Sequence, residues 1–266
     1  MKSDDSLLMQ VDERGVATLT LNRPEVHNAF DDELIKQLIL ALEKLENNSK
    51  VRILVLRSQG KSFSAGADLN WMQRMADYDE IQNYDDAMQL AVLMQKLNEF
   101  IKPTIAVIQG SAFGGAVGLV ACCDIAIASL SAKFSLSEVR LGLIPAVISP
   151  YVLNAIGERA ARRYFLSAEI FDAQQACRLG LVHEVVDSDE LENIPDLLIN
   201  QLLKAGPKAQ EKAKKLIFQV VGKEIDQELI SKTATLISEI RATEEGKEGI
   251  AAFLEKRPPD WLKESQ

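Results

Sequence analysis

From Thr104 to Cys123 the chain carries no charged residue, so this stretch must be buried, either in protein or in lipid. Gly110, Gly114 and Gly118 stand at a spacing that can mark the contact face of a membrane helix. Gln109, Ser111 and the glycines break the apolar run, however, and its first part, Thr104 to Ile108, is rich in β-branched residues. The stretch therefore reads as a buried strand, a glycine turn and a buried helix, and no membrane span is expected.

The segments around it repeat that pattern. Leu7–Asp12 and Val16–Leu21 read as strands around a turn at Arg14-Gly15, and Asn22-Arg23-Pro24 ends the second. Asp31 can cap an amphipathic helix running to about Asn47. Ile53–Arg57 is a short apolar strand followed by a loop, and a long helix is expected from about Asp79 to Phe100. After the charge-free stretch comes a strand over Asp124–Ala128. Alternating strands and helices imply right-handed crossovers and a largely parallel sheet with helices outside.

Past Pro145 the pattern is almost wholly helical, with helices predicted near Ser149–Ile156, Glu158–Leu166, Asp172–Leu179, Asp189–Leu203, Pro207–Val221, Ile225–Arg241 and Thr243–Glu255. Only Leu181–Val186 reads as a late strand. The expected fold class is α/β, with a core over residues 1–200 and a C-terminal helical section over 201–266, joined without a flexible linker.

A chain of 266 residues with a formal charge of -9 can bury a sizeable core but lacks the clustered Lys and Arg that grip nucleic acid. Cys122, Cys123 and Cys177 make no disulfide framework and read as reduced cytosolic thiols. The opening Met1-Lys2-Ser3-Asp4-Asp5 lacks a signal-peptide pattern, so a cytoplasmic location is expected. His27 and His183 lie far apart, and no metal-ligand cluster or nucleotide-binding glycine motif is present, so neither a metal nor a separate cofactor is expected.

Two glycine-containing loops follow buried strands: Phe63-Ser64-Ala65-Gly66-Ala67-Asp68 and Gly110-Ser111-Ala112-Phe113-Gly114-Gly115. Small residues at both places let a ligand approach the backbone closely. Side by side in a parallel sheet, the two turns would aim free N–H groups into one crevice and could hold a developing oxyanion. Two tight turns without a ligand fit the same residues.

Five segments in order then carry a resemblance. Asn22-Arg23-Pro24 with Asn28-Ala29, the loop Phe63–Asp68, Gly114-Gly115 leading to Cys123-Asp124, Phe134–Pro145 around Glu138, and Phe253–Arg257 together resemble the crotonase (enoyl-CoA hydratase/isomerase) superfamily over nearly the full length. The resemblance implies a spiral of ββα units, an acyl-coenzyme A thioester as substrate, and a homotrimer or homohexamer. It places the oxyanion hole at the amides of Ala67 and Gly115 and the proton-moving carboxylate at Glu138. By the same resemblance, Ala65 matches the position that meets the adenine ring, Val26 and Ala29 lie in the segment that lines the coenzyme A channel, and Arg23 is near by as a candidate phosphate partner. Asp68 and Leu69 continue the first loop toward coenzyme A, although Asp68 also reads as a helix cap. Phe253 and Lys256 match C-terminal residues that touch coenzyme A, commonly from a neighbouring subunit; solvated surface charge is the other reading of Arg23 and Lys256.

Two departures stand out. Hydratases that resemble this chain use a second glutamate twenty positions before the one at Glu138, and here that position is Gly118. Asp124, near by in the motif, reads as a structural acceptor. After Pro145 the usual small glycines are replaced by Ala146-Val147-Ile148-Ser149-Pro150-Tyr151, which should narrow the acyl pocket. Gly66-Ala67-Asp68-Leu69-Asn70-Trp71-Met72, Ala121-Cys122-Cys123-Asp124 and the run from Pro145 to Tyr151 together look like the bacterial methylglutaconyl-CoA hydratase branch. Arg140 is the nearest cation in sequence for an acyl carboxylate, with a surface salt bridge as its other reading. The expected activity is hydration of a short, branched 2-enoyl-CoA, with 3-methylglutaconyl-CoA the leading substrate. A single-glutamate isomerase and a non-catalytic coenzyme A or RNA binder are the rivals.

Overall fold

A computed structural model of the chain describes residues 6–262. The opening pentapeptide read above for a signal lies outside the described residues.

The main sheet is built from β1 (Leu7–Val11), β2 (Val16–Leu21), β3 (Ile53–Ser58), β4 (Thr104–Ile108), β6 (Ile125–Ser129) and β9 (Glu184–Val186), in that spatial order. Only the β1–β2 hairpin is antiparallel; every other neighbour pair is parallel. Its strands are nearly continuous apolar runs because both faces are covered. Ala17, Leu19, Leu54, Leu56, Ala106, Ile108, Ala126 and Ala128 point into the larger core. Their alternate neighbours Val16, Ile53, Val55, Ile105, Val107 and Ile127 pack on the other face against Leu191 and Ile199.

The larger core is filled by α1 (Asp32–Glu46), α3 (Glu80–Asn98), α4 (Gly115–Cys122) and α5 (Ser149–Ser167). The charge-free stretch resolves into β4, a turn, the two-residue β5 (Ala112–Phe113) and α4, most of it buried between the two cores. No helix among the described residues is long and apolar enough to cross a membrane.

A second, smaller sheet lies beyond the ends of the first. It contains β5, β7 (Lys133–Ser135) and β8 (Phe171–Asp172), extended by isolated bridges that pair Ser64 with Ala112 and Phe30 with Ala67. The passes that start at β2, β3, β4 and β6 thus each add one step to the main sheet and one to the small sheet before a helix, which makes the fold a crotonase-like spiral of ββα units.

Several sequence expectations shift. The helices expected on either side of Gly157 form one helix kinked there, where the glycine takes φ 74°. The helix expected from Asp189 begins only at Ile194, as α7 (Ile194–Leu203), with Pro195 in its first turn. A short helix, α2 (Leu69–Met75), follows the first glycine loop, and β8 gives a second late strand directly before α6 (Ala173–Leu179). The chain closes with α8 (Pro207–Val220), α9 (Gln227–Ala242) and α10 (Glu244–Leu254). The first two bury no residue fully, and α10 buries only Ala252.

Candidate active site

The two glycine loops meet through the small sheet. Phe30 N–H bonds Gly66 O at 2.8 Å and Asp68 N–H bonds Phe30 O at 3.0 Å, so Ala67 is the residue whose own amide points away from this pairing. Gly66 takes φ 90°, and a side chain on it would come within 2.8 Å of Phe113 O, so the loops approach to a distance only glycine allows. The second loop enters α4 through Gly114, at φ 55° and ψ -127°, which makes Gly115 the first residue of that helix. A first-turn N–H has no acceptor within its helix. Neither Ala67 N–H nor Gly115 N–H makes a hydrogen bond among the described residues.

Two side-chain amides, buried Asn28 and half-buried Gln109, hold the first loop in place. Asn28, itself in the left-handed region at φ 53°, donates from Nδ2 to Gln59 O at 2.7 Å and Ser62 O at 2.9 Å. Gln109 donates from Nε2 to Ser58 O, Gly60 O and Ser62 O at 3.0–3.1 Å. Neither residue has a role that its motif implies; a lone amide at the end of an otherwise apolar strand is the signal for Gln109 in the sequence.

Glu138 opens a short 3₁₀ turn, Glu138–Leu141, just after β7. A side chain on Gly114 would meet its Oε1 at 3.3 Å, so the carboxylate lies over the turn that presents the Gly115 amide. Oε2 is buried without a hydrogen-bond partner. Burial raises the pKa of Glu138, opposed by its own backbone amide, and no ionised neighbour contributes. Such a carboxylate has a free oxygen and a proton affinity shifted toward neutral, which suits it to accept and return a proton.

No second carboxylate among the described residues joins it. A Cβ on Gly118 would lie 2.8 Å from Ile148 Cβ and 3.2 Å from Met94 Sδ, and Ile148 is 2 % exposed. The other acids of the motifs are engaged elsewhere. Asp68 caps α2 through the amides of Asn70 and Trp71 and pairs with Arg23 at 2.9 Å. Burial works to raise its pKa, but those amides and the guanidinium outweigh it and hold the carboxyl below its usual range. Asp124 accepts from Thr104 N–H, Thr104 Oγ1 and Lys214 Nζ, tying β4 to α8.

Arg23, Val26, Ala29, Ala65, Ala67, Asp68 and Leu69 come together in one corner. Ala65 N–H bonds His27 O at 2.9 Å, so the 26–30 segment runs beside the first loop. Val26 and Leu69 are exposed there, Ala65 faces solvent and Ala29 is buried. The Arg23 guanidinium binds Ala29 O, Asp31 and Asp68, contacts to protein that a phosphate would have to share. Arg140 is exposed. Phe253, 82 % exposed on α10, and Lys256 just after it make no described hydrogen bond or ion pair with this corner.

The architecture and sequence have close counterparts. The family model for enoyl-CoA hydratase/isomerase matches residues 12–264. The chain is 34 % identical over 248 residues to the 2,3-dehydroadipyl-CoA hydratase of Escherichia coli, covering 92 % of this chain and 94 % of that one. It is 32 % identical over 260 residues to a trans-2-decenoyl-acyl-carrier-protein isomerase of Streptococcus mutans, covering 95 % and 96 %. A crystal structure of an enoyl-CoA hydratase from Shewanella pealeana superposes with a TM-score of 0.94 at 48 % identity, covering 98 % of this chain and 97 % of that one.

Proposed function

We propose that this chain, which belongs to the enoyl-CoA hydratase/isomerase family, hydrates a short, branched 2-enoyl-coenzyme A thioester using one carboxylate. The observation that carries this reading is the position of Glu138. Its half-buried carboxylate, with Oε2 buried and unpartnered, stands over Gly114, beside the amide of Gly115, with the Ala67 loop packed against the same turn.

The chemistry follows from that arrangement. The thioester oxygen accepts hydrogen bonds from the amides of Ala67 and Gly115. Glu138 takes a proton from water as the water oxygen bonds to the β-carbon, and the electrons of the double bond move onto the thioester oxygen. The enolate so formed is held more tightly than the ground-state carbonyl, which lowers the barrier. Glu138, now protonated, delivers its proton to the α-carbon and the carbonyl reforms. Neither a metal nor a redox group enters this scheme.

The bulk of Val147, Ile148 and Tyr151 after Pro145 favours a compact acyl group, with 3-methylglutaconyl-CoA the leading candidate and Arg140 the cation for its carboxylate. Such a substrate would place the protein in the breakdown of leucine or acyclic terpenes in the cytoplasm. Arg23, Val26, Ala29, Ala65, Asp68 and Leu69 would flank coenzyme A, with Arg23 and Asp68 shaping the corner through their own ion pair. Phe253 and Lys256 would reach coenzyme A from a neighbouring copy in a homotrimer or homohexamer, for which the open apolar faces of α8–α10 are suited.

A second reading, double-bond isomerisation, is favoured by Ile148 standing over Gly118. One base that removes a proton at one carbon and returns it at another needs no second carboxylate. Incubating the protein with enoyl-CoA esters in heavy-oxygen water separates the two: label in the product marks hydration, and a shifted double bond without label marks isomerisation. Loss of turnover in Glu138→Gln is expected under both, and undiminished turnover would remove Glu138 from the mechanism.

A further inference from the structure

Phe30 touches both halves of the proposed oxyanion hole. Its backbone forms the bridge that fixes Ala67, accepting from Asp68 N–H and donating to Gly66 O. Its ring reaches across to the other half: a Cβ built on Gly115 would lie 2.7 Å from Phe30 Cζ and 3.2 Å from Cε2. The ring tip therefore rests where a side chain of residue 115 would be. Phe30 is itself 2 % exposed and is backed by Trp71, with ring centroids 6.5 Å apart and planes at 52°. Trp71 is fixed in turn, since its Nε1 donates to Asp86 Oδ1 on α3 at 3.0 Å.

We infer that Phe30 is a positioning residue that sets the separation of the Ala67 and Gly115 amides, and that Gly115 is glycine because the Phe30 ring takes its side-chain space. This rests on the acyl-thioester reading above. Gly66 and Gly114 need left-handed backbone, but Gly115 does not: it is an ordinary first helical residue. Alanine would fit its backbone, so the ring is what opposes a side chain there. An oxyanion hole works only when its donors sit at the distance of the developing charge, not the ground-state carbonyl. A residue that sets this distance should act on turnover more than on substrate binding.

The test is a double-mutant cycle on Phe30→Leu and Gly115→Ala in the full-length protein. The assay uses whichever of crotonyl-CoA and 3-methylglutaconyl-CoA the wild type turns over faster. Leucine withdraws from the position of the ring tip, so Phe30→Leu should lower kcat about tenfold with KM within about twofold, less than loss of a whole oxyanion donor. Gly115→Ala should lower kcat further, because the new methyl drives against the ring. The double variant should regain at least about tenfold in kcat over Gly115→Ala, since the methyl then occupies the vacated space. Where Phe30→Leu gives no folded protein, Phe30→Met with and without Gly115→Ala is compared in the same way.

Wild-type kcat in the Phe30 variant, or a double variant that shows the product of the two single losses, overturns the inference while leaving the activity standing. A wild type that turns over neither ester overturns the acyl-thioester reading and this inference together.

Discussion

Ile148 occupies the space that a side chain on Gly118 would need. The two residues lie on different helical elements, Gly118 inside α4 and Ile148 at the cap of α5, with Met94 of α3 closing the third side. A glutamate at position 118 would thus be crowded, and its charge buried without a partner. The single-carboxylate character of the site comes from this packing as much as from the residue at position 118.

Gly118→Glu alone should destabilise the protein by about 3 kcal/mol or more, from overpacking and an unpaired buried charge. Adding Ile148→Gly should return a large part of that loss, because the space for the side chain is then open. Denaturant melts of the two variants check this. If the double variant also hydrates faster than the wild type, the second carboxylate has been rebuilt; equal losses in both variants would show that Ile148 is not what excludes it.

Much of this site was legible from the sequence because it rests on local signals. The strands before both loops are apolar on both faces, and the glycines after them mark the turns. Glu138 follows a recognisable segment. What the sequence left unread is contact between distant positions. That Ile148 falls on Gly118 and the Phe30 ring on Gly115 depends on how α4 packs against the start of α5 and against the Phe30–Ala67 bridge that extends the small sheet. That sheet is itself made of two- and three-residue strands, too short to show a period of two. Arg23 read as a possible phosphate partner because its proximity to Asp31 and Asp68 exists only after folding.

Asp68 holds the entry of α2 and neutralises Arg23 in a largely buried place. Asp68→Ala should cost about 3 kcal/mol, from the lost cap and an Arg23 left without one of its partners. Its carboxyl titrates below the usual range in the folded protein, so its stabilisation is present above the unfolded value, about 3.9. It is lost as pH falls through the lower, folded value. Denaturant melts from pH 7 down to pH 2 should show this acid loss in wild type and less of it in Asp68→Ala; identical pH slopes would refute it.

Gln109 acts on the same loop from below. Gln109→Leu leaves the carbonyls of Ser58, Gly60 and Ser62 short of a donor, at an expected cost of about 1–3 kcal/mol. The loop they belong to carries Ala67, so turnover should fall as well. Amide hydrogen exchange over residues 58–68 reads the loosening directly, and unchanged protection there would mean that Asn28 alone is sufficient.

Glu138 is where stability and chemistry pull in opposite directions. Burial raises its pKa, so the folded state favours the neutral acid and ionisation costs stability as pH rises through the folded value. Glu138→Gln, which keeps the shape and removes the charge, should therefore melt higher than the wild type at pH 8. The difference should vanish below the unfolded value, about 4.3. Activity has the reverse dependence, since the base must be ionised: kcat/KM should fall on the acid side with a midpoint above that of an ordinary glutamate. Paired melting curves and pH–rate profiles test both limbs on the same group. A variant no more stable than wild type at pH 8, together with an acid limb at the ordinary glutamate value, would show that Glu138 is solvated in the working protein and that its burial has no part in the mechanism.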